Sequence, residues 1–159
     1  MGIETWELMS YIITTIGLPL AIIVFLYEQR KERDNEEDEV YQLLSDNYQD
    51  FLKVVLANPD FRMFSAEKTP QLTEEQQERM IIIFGMLVSL FERAYLLLYE
   101  NNMNPRQKKR WCSWEDYMRE WCQRADFRAA LPELLRGEDP DFVKCLQALV
   151  VNEGNAPEL

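Results

Sequence analysis

Two ionisable side chains interrupt the most apolar stretch in the middle of this chain. Glu92 and Arg93 break the segment Met80–Tyr99, MIIIFGMLVSLFERAYLLLY, whose uncharged part runs from Met80 to Phe91. A carboxylate in such surroundings is the kind of group that burial can turn to acid–base work, because desolvation strengthens its hold on a proton. Neighbours on a helix point about 100° apart, so Glu92 and Arg93 do not pair with each other. Acid–base catalysis needs a second group in reach, and the sequence offers no obvious one. The plainer reading gives each side chain solvent or a partner charge at the edge of a core.

Other chemistry is thinly supplied. The chain has no histidine, and its three cysteines, Cys112, Cys122 and Cys145, form no CxxC pair. An odd count excludes a closed set of disulfides, and a zinc site would need a carboxylate as fourth ligand, which is uncommon. The three thiols read as small apolar filler on helix faces. There is no Gly-rich phosphate loop and no Ser or Cys set beside a base. No catalytic, cofactor-binding or metal-ligating residue is assigned, no cofactor is expected, and the balance leans against an enzyme.

What must position any activity is an N-terminal anchor. Leu8–Tyr27, LMSYIITTIGLPLAIIVFLY, contains no charge over twenty residues, about 30 Å of α-helix and the thickness of a bilayer's hydrocarbon core. Pro19 cannot donate to the carbonyl of Thr15, which predicts a mild kink. Trp6, Tyr11 and Tyr27 sit near the ends, where amphipathic rings settle at headgroup level. Glu4 and Glu7 precede the run, so it lacks the basic leader of a cleaved signal peptide. Ser10, Thr14, Gly17 and Ala21 form a stripe of small residues suited to close packing against a second membrane helix. No Lys or Arg precedes Leu8, whereas Arg30, Lys31 and Arg33 follow Tyr27. The positive-inside rule counts those bases and not the acids after them, which predicts the N-terminus outside and the rest in the cytoplasm.

Beyond the anchor the periodicity is helical throughout. Residues 28–35 continue the anchor helix as a charged segment. Val40, Leu43, Leu44, Tyr48, Phe51, Leu52 and Val55 then form an apolar stripe, closed by Asn58-Pro59-Asp60. Residues 61–72 read as a loop, and Thr73 with Gln76 forms a capping box for the next helix. Met80–Tyr99 is too short in its uncharged part for a comfortable span. It reads as a central core helix surrounded by others on nearly every side, although contact with the membrane stays open. Asn101–Pro105 reads as a turn. The basic cluster Arg106, Lys108, Lys109 and Arg110, beside Trp111, reads as a loop edge that could touch anionic headgroups. Ser113 is expected to cap a helix whose face carries Trp114, Tyr117, Met118, Trp121, Cys122 and Ala125. A short helix ends before Gly137, and Asp139-Pro140 opens the last, with Phe142, Val143, Leu146, Leu149 and Val150 inward.

These expectations give an all-α chain: an N-terminal transmembrane helix continuing into a small cytoplasmic helical bundle. Residues 1–33 form the anchor (span 8–27), 34–151 the helical domain, and 152–159 a disordered tail. The net charge of −11 disfavours nucleic acid as a partner.

The whole pattern resembles a group of small bacterial single-pass inner-membrane proteins of unassigned function. The resemblance rests on the span, the YEQRKER continuation (Tyr27–Arg33), the helix ending in NPD, SLFERAY (Ser89–Tyr95) and W-x-x-W-E-D-Y (Trp111–Tyr117). It implies the fold and an inner-membrane location, and carries over no site residues. The expected partners are the lipid bilayer and a membrane protein or a second copy. The expected function is that of a tethered interaction module, a subunit or regulator of a larger assembly. The alternative is a membrane-acting effector or enzyme using the surroundings of Glu92.

Overall fold

The computed structural model describes Trp6, Met9, Tyr11, residues 13–65 and residues 69–154, apart from the side chains of Thr14 and residues 152–154. Every regular element among these residues is helical. A π-helical turn, Ile13–Gly17, leads into α1 (Leu18–Ala57); a short 3₁₀ turn, Pro59–Phe61, follows. Then come α2 (Glu74–Leu98), α3 (Pro105–Cys122), α4 (Ala125–Leu134) and α5 (Pro140–Gly154). The chain divides into two units, Met1–Val40 and Tyr41–Leu159.

In the first unit, the π turn lies directly before Pro19. A wider turn at this point fits a residue whose ring crowds the preceding carbonyls and whose nitrogen cannot donate. The charged segment 28–35 lies within the same uninterrupted helix.

The second unit is built on α2, which packs against α3, α4 and α5, while α3 also packs against α4 and α5. The capping box expected at Thr73 is present, with the Gln76 N–H donating to Thr73 Oγ1 and the Thr73 N–H donating to Gln76 Oε1. Met80, Ile83, Phe84, Leu87, Val88, Leu90, Phe91 and Ala94 are buried along α2. Helices do not surround it on all sides, however: Ile81, Ile82, Met86, Leu96 and Leu97 are exposed. By length and composition alone it is the one helix among the described residues able to cross a membrane.

The stripe on α1 is as expected at Leu44, Tyr48, Phe51 and Val55, all buried, but Leu43 faces outward. It meets α3 through rings: Tyr48 stacks on Tyr117 at 4.7 Å and meets Trp114 edge-on, while Phe51 meets Trp121 edge-on. Such pairs contribute about 0.5–1.5 kcal/mol each beyond their buried area. The Trp121 indole N–H donates to the Tyr48 hydroxyl at 3.3 Å, which satisfies a donor that would otherwise be buried alone.

Two expectations change at α3 and α5. Helix α3 begins at Pro105 with Asn104 as its cap, not at Ser113. Asn104 Oδ1 accepts from the N–H groups of Arg106 and Gln107, and Gln107 Oε1 accepts from the Asn104 N–H. Asn-Pro with Gln three residues on is a complete start signal, since proline suits the first helical position. Ser113 lies mid-helix, donating to the Lys109 carbonyl. At the other end, α5 runs to Gly154, three residues into the expected tail, and 155–159 lie outside the described residues.

Side chains on the two flanks of α2 should therefore respond differently. Phe91→Ala is expected to cost about 3–5 kcal/mol, and Ile82→Ala within about 0.5 kcal/mol. Denaturant unfolding of the full chain in detergent, followed by tryptophan fluorescence, measures both. Equal losses would contradict the packing described.

Candidate functional site

Glu92 and Arg93 part company as their positions on the helix require. Arg93 is exposed and borders a shallow groove with Asn47, Asp50, Phe51 and Met86. Glu92 is half-buried and turns toward the α4–α5 connection. Its Oε1 accepts from the Asp139 N–H at 2.5 Å, and its carboxyl meets that of Glu138. Two carboxyl groups in hydrogen-bond contact need a proton between them. Accordingly the hydrogen bond to Glu92 raises Glu138 from the ordinary glutamate value to about 7, with burial and the Glu92 charge adding to the shift.

The turn bearing Glu138 is built for a tight change of direction. Gly137 has φ +92° with nothing close to where a Cβ would stand, so only its backbone conformation favours glycine there. Asp139 then caps α5, its Oδ1 accepting from the Asp141 and Phe142 N–H groups. Beside Asp139 an open cleft of about 810 Å³ is lined by Tyr95, Tyr99, Glu100, Lys144 and Cys145 among others. Tyr95 and Tyr99 stack at 4.8 Å, and Lys144 is paired with Asp141. Burial pushes the Cys145 thiol up, which makes it less nucleophilic rather than more. Glu92 therefore has a carboxyl partner, but the cleft beside it holds no activated nucleophile.

One functional-looking group escaped the sequence entirely. Arg124, the N-cap residue of α4, is 2% exposed. Its guanidinium donates to the carbonyls of Phe61, Arg62 and Ser65, to Thr69 Oγ1 and to Asp126 Oδ2. Nε lies 2.6 Å from Asp126 Oδ1, close enough for an ion pair but not aligned for a hydrogen bond, so Asp126 is hydrogen-bonded through the single Nη2 donor. The face of the group lies over Phe84 at 6.0 Å. The role is structural: the carbonyls of Phe61, Arg62 and Ser65 lie outside any long helix, and the guanidinium adds donors to those supplied by the Ser65 N–H and the Thr69 hydroxyl. Arg-x-Asp at a helix start is the only local sign, and it names none of the distant acceptors.

The remaining sequence-derived residues are scattered. Arg106, Lys108 and Lys109 are exposed on the first turns of α3, and Arg110 lies 5.5 Å from the Tyr41 ring. Cations near a helix N-terminus oppose its dipole, and the first turn holds no acid to offset them. Trp111 does not belong with that surface; it is buried against Tyr95 and Tyr99. Arg30, Lys31 and Arg33 are exposed on α1. Gly17 ends the π turn and Ala21 lies in the first turns of α1; Ser10 and the Thr14 side chain fall outside the described residues. Of the cysteines, Cys122 is buried and Cys112 and Cys145 are half-buried, and none of the three is in a disulfide. No family model matches the chain, and no curated protein or solved structure is significantly similar to it.

Removing the Arg124 side chain takes the cation from Asp126 and one donor from each of three carbonyls. Arg62 O keeps the Ser65 N–H, Phe61 O keeps the Thr69 hydroxyl, and Asp126 keeps the N–H groups of Thr69 and Phe127. Arg124→Ala is expected to destabilise the folded chain by about 3–5 kcal/mol. Arg124→Lys should recover only part, because an ammonium cannot span the same acceptors. Unfolding midpoints of the two variants test this; a loss under about 1 kcal/mol in Arg124→Ala would contradict the role.

Proposed function

We propose that this chain is a membrane-tethered interaction module, a subunit or regulator of a larger assembly in a bacterial inner membrane. The observation that carries the reading is the exposure of the apolar run along the π turn and the start of α1. Ile13, Ile16, Leu18, Leu20, Ile22, Ile23, Val24, Phe25, Leu26 and Tyr27 are all exposed. Burying a large apolar side chain contributes about 1.5–3 kcal/mol, so a helix apolar on every side calls for a solvent of hydrocarbon or a covering partner. Leu8 to Tyr27 as a single span is the economical answer, and the bases at Arg30, Lys31 and Arg33 favour a cytoplasmic helical domain.

Within lipid, hydrophobic burial does not draw helices together, and small residues that allow close backbone approach do. Ser10, Thr14, Gly17 and Ala21 supply such residues for a membrane-protein partner or a second copy. Arg106, Lys108 and Lys109, placed against the dipole of their own helix, suit an anionic headgroup surface, worth about 1 kcal/mol per charge near it. A second reading, an enzyme or membrane-acting effector working through Glu92, draws on the raised affinity of Glu138 for its proton, which sits near neutrality where a general acid–base group works. The neighbouring cleft supplies no nucleophile to go with it, so the interaction reading is preferred.

Crosslinking in membranes tests the association. Wild-type chain is expected to give a crosslinked species through the anchor, and Gly17→Ile with Ala21→Ile should abolish it while membrane recovery is unchanged. An identical crosslinking pattern in the double variant would reduce the anchor to a plain tether.

A further inference from the structure

We propose that Glu92 and Glu138 form a proton-operated latch, closing the α4–α5 turn onto α2 when they share a proton and releasing it when both are ionised. The latch has three parts. Glu92 Oε1 takes the backbone N–H of Asp139, which fastens the turn to the central helix. The Glu138 carboxyl is hydrogen-bonded to the same Glu92 carboxyl. Gly137, in a left-handed conformation with open space around it, gives the turn a place to pivot.

Leu135 anchors the start of the turn, buried and with its N–H on Leu131 O at 2.9 Å, but the later backbone bonds of the turn are long, Arg136 N–H to Glu133 O at 3.3 Å and Glu138 N–H to Leu135 O at 3.4 Å. Arg136 in the same turn is exposed, and among the described residues no cation contributes to the Glu138 shift. On α2, Arg93 faces the groove beside Asn47 and Asp50, while Tyr95 faces the turn and feels Asp139 and Asp141. On α5, Lys144 is occupied by Asp141, and Cys145 is an uncharged thiol near Glu115 of α3. Among the charged groups, Glu92 is the one that acts on Glu138. Loss of the shared proton therefore sets two carboxylates against each other with nothing to screen them but solvent.

The sign follows from linkage. Glu138 holds its proton more tightly in the folded chain than the ordinary 4.5, up to about 7. Its contribution is complete below the unfolded value and is lost as pH rises through 7. Opening has a structural consequence, because Asp139 caps α5 and forms one wall of the Tyr95–Tyr99 cleft. Release of the turn frays the start of α5 and widens that cleft. A helical module carrying this latch would present a different α4–α5 surface on either side of neutral pH, whether or not it is tethered to a membrane.

Amide hydrogen exchange of the full chain in detergent, read by mass spectrometry over residues 134–143, tests the latch. After correction for intrinsic exchange, wild-type protection there should fall about tenfold between pH 6 and pH 8, following the protonated fraction of Glu138. Glu138→Gln keeps a donor to the Glu92 carboxylate at every pH, so its turn should stay protected at pH 8 and lose the pH dependence. Glu138→Ala should be unprotected at both values. A pH-invariant wild type, or a Glu138→Gln variant that retains the wild-type pH response, would overturn the proposal. Peptides within α3 serve as the internal control: loss of their protection at pH 8 would indicate global unfolding and also count against a local latch.

Discussion

A single guanidinium holds the least regular part of this molecule in place. Between α1 and α2 the described residues form one 3₁₀ turn and no further regular element, yet Phe61 and Met63 there are core residues. Burying them carries backbone carbonyls inward, and carbonyls without donors are costly. Arg124 answers this from the start of α4 by donating to three of them, with Asp126 balancing its charge. The buried ion pair is thus less a source of net stability than a further set of donors for this connection, beside the Ser65 N–H and the Thr69 hydroxyl.

The contact at the opposite end of α4 is of another kind. Arg124 and Asp126 are a matched pair of opposite charge. Glu92 and Glu138 are a mismatched pair that holds only with a proton supplied by solvent. Both tie a connection to the helical core, one permanently and one conditionally. Under the proposed latch, a pH response of the helical domain would begin at the α4–α5 turn.

Local signals were legible in the sequence and distant ones were not. Thr73 and Gln76 lie three residues apart and announced their capping box; Asp139-Pro140 likewise announced α5. Asn104 and Gln107 make the same motif, but Pro105 suggested a turn and the bases after it a loop, so Ser113 was preferred as the cap. Helix α2 reads as apolar on all sides because periodicity cannot count the neighbours a helix will have; Ile82 and Met86 have none covering them. Arg124 was invisible because its acceptors lie 55 to 63 residues away in a stretch without pattern. For Glu92, the sequence indicated the edge of a core. Its carboxyl partner Glu138 lies in a turn whose position only the packing of α4 and α5 determines.

The central claim is that the exposed apolar helix start is a membrane anchor with the helical domain on the cytoplasmic side. Paired reporter fusions at the C-terminus, one active only in the cytoplasm and one only in the periplasm, measure this directly in bacterial cells. The account predicts that the membrane fraction carries the cytoplasmic reporter's activity and none of the periplasmic one's. Periplasmic activity, or recovery of the fusion as a soluble protein, would contradict it.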